Sequence, residues 1–75
     1  MSLTIPELTP VRSTNLAAVG YDAVGSVLYV RFRNGSVYHF AGVPTATYTG
    51  LMSAASKGRY FNRNIRDRYS GGRIR

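Results

Sequence analysis

The chain has 75 residues, and its ten Lys and Arg residues against three acidic residues give a net charge of +7. This length supports one small domain, and the lack of cysteine excludes a disulfide framework or a thiolate metal site. The N-terminal sequence has neither the basic region nor the apolar core of a signal peptide, and no apolar run is long enough to cross a membrane. We therefore expect a cytoplasmic protein without a membrane partner.

The N-terminal part of the chain predicts an arm followed by a first strand. Residues 1–12 contain Pro6 and Pro10 and show no sustained periodicity, which favours an extended N-terminal arm. Residues 16–22 are mostly apolar and predict a strand, and residues 22–26 predict a turn into the next strand.

The centre of the chain predicts a β-hairpin. Apolar and polar residues alternate over 27–33 and again over 36–41, which is the pattern of half-buried strands. Between them lies Asn34-Gly35, a strong hairpin signal because both residues tolerate positive φ. With the first strand, this hairpin makes a three-stranded antiparallel meander.

The turn type decides which side chains of the hairpin meet solvent. A two-residue type I′ loop would make Tyr38 and Phe40 part of an aromatic and basic platform suited to stacking bases. The other members of that platform would be Tyr29, Arg31 and Arg33.

A three-residue loop with Gly35 as a bulge would instead pair Val30 with Tyr38. One face would then be entirely apolar, formed by Leu28, Val30, Phe32, Tyr38 and Phe40. The outer face would present Tyr29, Arg31, Val37 and His39. We favour this second register because it separates apolar from polar residues better, and a buried face specifies register.

Two helices are predicted after the hairpin. Pro44 suits the first turn of a helix over residues 46–55, which Ser56-Lys57-Gly58 would end. Its apolar face would consist of Tyr48, Leu51, Met52 and Ala55. A shorter helix over 59–68 would bury Phe61 and Ile65. The expected fold is therefore α+β: a three-stranded antiparallel β-meander packed against one longer and one shorter C-terminal helix.

Positive charge is concentrated at the C-terminal end. Residues 57–75 hold seven of the ten cationic residues and one of the three acidic residues, so they carry +6 of the net charge. Such a segment favours a polyanion or an acidic protein surface as partner. The candidate nucleic-acid-binding residues are Lys57, Arg59, Arg63, Arg66, Arg68, Tyr60, Tyr29 and Arg31. Arg59, Arg63 and Arg66 would share one helix face.

The sequence does not favour catalysis. Its acidic residues, Glu7, Asp22 and Asp67, are widely separated, and His39 lies in a strand without a neighbouring carboxylate to orient it. We therefore predict that the protein is not an enzyme and has no catalytic residue, metal, cofactor or small-molecule substrate.

Eight stretches, in this order and spacing, resemble the KTSC domain family, named after the C-terminal region of some lysyl-tRNA synthetases. They are STNL (13–16), VGYD (19–22), LYVRF (28–32), NGSVYHF (34–40), GVP (42–44), LMSA (51–54), SKGRYFN (56–62) and IR (65–66). The resemblance covers residues 11–69. The family's Tyr-x-Tyr becomes Tyr38-His39-Phe40 here, which suits a buried role for position 40.

The family occurs as free-standing small proteins in bacteria and phages and as an appendage on synthetases, and RNA binding is the function usually suggested for it. We divide the chain into an extended arm (1–12), a single KTSC-like domain (13–69) and a flexible basic tail (70–75). The expected function is binding of RNA or single-stranded nucleic acid, mainly through phosphates. The alternative is a protein-interaction module or small phage-type regulator. It would dock on an acidic surface of a larger enzyme such as a synthetase or an RNA polymerase.

Overall fold

A computed structural model describes residues 5–75 and shows an antiparallel sheet packed against two helices. The elements are β1 (Thr9–Pro10), β2 (Leu16–Asp22), β3 (Val27–Phe32), β4 (Val37–Phe40), α1 (Thr45–Ser53), α2 (Lys57–Asn64) and β5 (Gly71–Arg73). The five strands lie in the order β1-β2-β3-β4-β5, so each strand pairs with its neighbour in sequence. The predicted α+β class and the central meander of β2, β3 and β4 are confirmed.

Within residues 5–75 the sheet has five strands and not three, because the arm and the tail pair with its two edges. In the arm, Thr9 lies opposite Val19, while residues 1–4 of the predicted arm lie outside the described part of the chain. In the tail, Gly71 lies opposite Phe40, and the Ile74 N–H donates to the Val37 carbonyl oxygen at 2.8 Å. Part of the predicted tail therefore forms the edge strand β5, while the flexibility of residues 70–75 stays a prediction.

Gly71, one of the two glycines that suggested a mobile tail, is what allows the tail to pair. A Cβ atom at Gly71 would collide with the carbonyl oxygen of His39 and lie 2.6 Å from Cδ1 of Phe40. Only a residue without a side chain lets β5 approach β4 this closely.

The hairpin adopts the favoured register. Val30 lies opposite Tyr38, the Phe32 N–H donates to the Ser36 carbonyl oxygen at 2.8 Å, and Gly35 takes a φ of 92°. These features define a three-residue loop with a glycine bulge. The five apolar side chains of the hairpin therefore point to the helix side of the sheet, as predicted.

The main core lies between the sheet and the helices. The buried members of its cluster are Leu16, Val19, Leu28, Val30, Phe40, Val43, Leu51, Phe61 and Ile65. Each side chain of this size contributes roughly 1.5–3 kcal/mol when it is fully buried. A stacked pair of rings, Tyr21 and Tyr48, joins β2 to α1 with centroids 4.7 Å apart.

The opposite face of the sheet is partly covered, contrary to expectation. Tyr29 and Val37 are only 4% and 2% exposed, whereas Arg31 is exposed. The arm crosses this face, since a Cβ atom at Gly20, the partner of Tyr29, would lie 2.6 Å from Cδ2 of Leu8. The apolar arm therefore supplies a second small core that the sequence pattern did not reveal.

The helix boundaries also differ from the prediction. The first helix ends at Ser53, and Ser56 begins α2 as its N-cap, where the side chain accepts from the Arg59 N–H at 3.4 Å. Gly58 lies inside α2 and not at the end of α1. Its lack of a side chain lets α2 approach Asn15, because a Cβ atom at Gly58 would collide with Oδ1 of Asn15. No helix within residues 5–75 has the length and hydropathy of a membrane span.

Candidate nucleic-acid interface

Two arginines project together from α2. Arg59 and Arg63 are both exposed and lie four residues apart, so they share one side of the helix. Their positions are separated by roughly 6 Å along the helix axis. Neighbouring Lys57 is half-buried, and its Nζ donates to the Ala54 carbonyl oxygen at 3.1 Å. That bond uses one of the three ammonium donors of Lys57.

Arg66 and Arg68 lie beyond the helix. The last helical residue is Asn64, and Ile65 leaves helical geometry with φ −125° and ψ −52° while its side chain is fully buried. The predicted second helix is confirmed, but it spans Lys57–Asn64 and not residues 59–68, so Arg66 does not share a helix face with Arg59. Both Arg66 and Arg68 are nevertheless exposed, in the turns that lead towards β5.

Tyr60 lies beside the two helical arginines. Its ring packs against Gly50 of α1, where a Cβ atom would collide with the tyrosine hydroxyl. The side chain is half-buried and lines a shallow cavity of about 180 Å³ together with Arg59 and Arg63. The Tyr60 ring therefore packs between the two helices and also borders the surface formed by Arg59 and Arg63.

Tyr29 and Arg31 lie on the other side of the sheet from α2. Because Tyr29 is only 4% exposed, the prediction of an outward-facing ring that could stack on a base was wrong. Arg31 is exposed, and it borders a cleft of about 270 Å³ with Val37 and Arg75. The sequence-predicted candidates therefore do not form one surface.

A groove that the sequence analysis did not identify lies at the end of α2. Its volume is about 470 Å³. Its polar lining consists of Asn15, Asn34, Asn62, Arg66 and Asp67. Asn62 and Arg66 occur four residues apart in the sequence, and this spacing was a signal that they could lie near one another.

Aromatic rings form the apolar part of this groove. The Tyr38 ring meets the Phe32 ring edge to face, with centroids 5.3 Å apart and an interplanar angle of 85°. Phe61 of α2 contacts Phe32 and Phe40 in similar edge-to-face pairs, at 5.5 and 5.4 Å. Phe40 is buried, whereas Tyr38 is half-buried, and Tyr69 also lines the groove. The helices therefore leave one aromatic corner of the sheet open.

The acidic and histidine residues are dispersed. Asp22 accepts the backbone N–H groups of Val24 and Gly25 in its own turn, at 3.1 and 3.2 Å. No three His, Cys, Asp or Glu side chains within residues 5–75 are grouped to hold a metal ion. The arrangement that the described residues do offer is cationic and aromatic.

The architecture described so far defines a small α+β domain in which a five-stranded antiparallel sheet packs against a helix pair. The KTSC domain model matches residues 12–69, so this chain belongs to the KTSC domain family. A crystal structure of a KTSC domain protein from Yersinia pestis superposes with a TM-score of 0.89 at 33% identity, covering 92% of this chain and 97% of the other.

Two curated bacterial proteins are also similar to the chain. A protein of Tsukamurella paurometabola is 34% identical over 62 residues, which covers 83% of this chain and 92% of the relative. A protein of Stutzerimonas stutzeri is 36% identical over 52 residues, covering 69% of this chain and 73% of the relative. The family resemblance expected from the sequence is thus confirmed.

Proposed function

We propose that the protein binds RNA or single-stranded nucleic acid, chiefly through contacts with phosphates. The observation that carries this proposal is a set of four exposed arginines on α2 and in the turns that follow it: Arg59, Arg63, Arg66 and Arg68. Guanidinium groups bind phosphate oxygens in a bidentate manner and release condensed counterions when they do so.

The charge balance of this segment supports a polyanion as partner. Asp67 is the one acidic residue among positions 57–75, so the basic side chains there outnumber possible internal partners by seven to one. Phosphate contacts carry little sequence information, so we expect similar affinity for strands of different sequence. The role also requires a cytoplasmic location, which cell fractionation would check.

Salt dependence gives the most direct test. If the four arginines each neutralise one phosphate of a single strand, the slope of log K against log salt should be about −2.8. Affinity for a labelled RNA should then fall about 50-fold between about 50 and about 200 mM salt, measured by fluorescence anisotropy. No binding at low salt would overturn the proposal.

A matched pair of variants locates the binding surface. Arg63→Gln should flatten the salt slope by about 0.7, because one phosphate contact is lost. Arg31→Gln removes the same charge from the other side of the sheet and should leave the slope unchanged. Equal effects of the two variants would mean that net charge alone attracts the strand.

The second candidate is a protein-docking role, as a module or small regulator on an acidic surface of a larger enzyme. Exposed Arg31 beside the cleft that Val37 and Arg75 line would suit such a partner. Failure of every nucleic acid to bind at low salt would favour this candidate, and capture of one acidic partner, lost in Arg31→Gln, would then test it.

A further inference from the structure

The open aromatic groove adjoins the basic surface, and Arg66 belongs to both. The groove has a volume of about 470 Å³, within the range of clefts that bind small ligands. Tyr38 supplies a half-buried ring to it, held in place by the edge-to-face contact with Phe32. Tyr38 and Phe32 are not among the arginines proposed to bind phosphates. A contact with the Tyr38 ring would therefore add to the phosphate contacts.

The polar wall of the groove has the chemistry of base recognition. Asn62 offers an amide donor and acceptor, Arg66 offers donors only, and Asp67 offers acceptors only. Unpaired bases present mixed donors and acceptors on their edges and a flat face for stacking. An aromatic ring beside amide, guanidinium and carboxylate groups therefore matches a nucleobase in both shape and hydrogen bonding.

We infer that this groove binds one unpaired nucleobase of the bound strand against Tyr38, while Arg66 holds a neighbouring phosphate. This inference rests on the proposed nucleic-acid binding, and it adds a contact that phosphate neutralisation does not provide. The occupant is a base and not an apolar side chain of a partner protein, because an apolar side chain offers no hydrogen bonds to the polar wall of the groove.

An abasic strand separates base binding from phosphate binding in the unmodified protein. The two probes are a short single strand and a strand of equal length in which every base is replaced by an abasic sugar. Both carry the same phosphates, so the base-containing strand should bind about tenfold more tightly at the same salt concentration. Equal affinities would overturn the groove inference and leave the proposed function standing, whereas binding of neither strand would overturn both.

Tyrosine variants then locate the base. Tyr38→Leu should reduce the ratio of the two affinities to about one, because stacking is lost. Tyr38→Phe keeps the ring and should restore most of the ratio. Tyr48→Leu is the matched control, since Tyr48 is also half-buried but stacks on Tyr21 and does not line the groove. Loss of the ratio in Tyr60→Leu, and not in Tyr38→Leu, would place the base against α2 and overturn the inference.

A measurement without substitution keeps the inference testable if Tyr38→Leu fails to fold. In the complex of the unmodified protein with a short RNA, base protons should show intermolecular NOEs to the Tyr38 ring. A complex whose base protons contact the Tyr60 ring alone would contradict the assignment of the groove.

Discussion

Gly71→Ala should separate β5 from the sheet. The added Cβ would collide with the carbonyl oxygen of His39 and lie 2.6 Å from Cδ1 of Phe40, whereas ordinary contacts of this kind are 3.4–4 Å. The strand must therefore move by roughly 1 Å or more, and a hydrogen bond weakens steeply when its geometry is distorted by that amount.

The cost follows from the backbone bonds that such a shift disturbs. The Ala41 N–H donates to the Ser70 carbonyl oxygen at 2.8 Å, and the Ile74 N–H donates to Val37 at the same distance. Each bond contributes about 1 kcal/mol net, so the free energy of unfolding should fall by about 2 kcal/mol. In a domain of this size that is a decrease in Tm of roughly 8–16 °C.

Gly72→Ala provides the matched control. A Cβ atom at Gly72 has no neighbour within 4 Å, so this variant should keep its stability or gain about 0.4–1 kcal/mol. Urea denaturation followed by circular dichroism measures both changes, and hydrogen exchange of the Ile74 amide reports the detachment of β5. If both variants unfold at the same urea concentration, the tail does not pair with β4 and the reasoning fails.

Three further predictions concern the helices and the arm. Ser56→Ala removes the N-cap of α2 and should cost about 1 kcal/mol in urea denaturation, whereas Ser53→Ala, at an exposed position, should change stability by less than about 0.5 kcal/mol. Phe61→Ala should cost about 3–5 kcal/mol, a large part of the roughly 4–11 kcal/mol expected for a chain of this length. Leu8→Ala should speed hydrogen exchange of the Tyr29 amide because the arm loses its contact over Gly20, and Glu7→Gln should not. Unchanged exchange in Leu8→Ala would show that the arm does not protect this face.

Much of the candidate site could be predicted from the sequence, but not its shape. The spacing of Arg59 and Arg63 places them on one helix side, because they lie within a single helix and four residues apart. The position of Arg66 depends on where that helix ends, and the burial of Ile65 in the core decides the end. The groove around Tyr38 was missed because it is formed by segments distant in the sequence: the hairpin, the end of α2 and the chain before β5.

Local patterns in the sequence were sufficient to predict the class of fold, the meander, the hairpin register and the family. Each depends on alternation or turn residues within one short stretch, where steric limits on the backbone and burial of one face act together. Only the tertiary structure showed that the arm and the tail pair with the sheet and that the outer face of the sheet is partly covered. The arm pairs with its neighbour β2, whereas the tail pairs with β4, a strand distant in the sequence. At Gly20, Gly58 and Gly71 what matters is how close a neighbouring segment comes. Sequence periodicity carries no information about that distance.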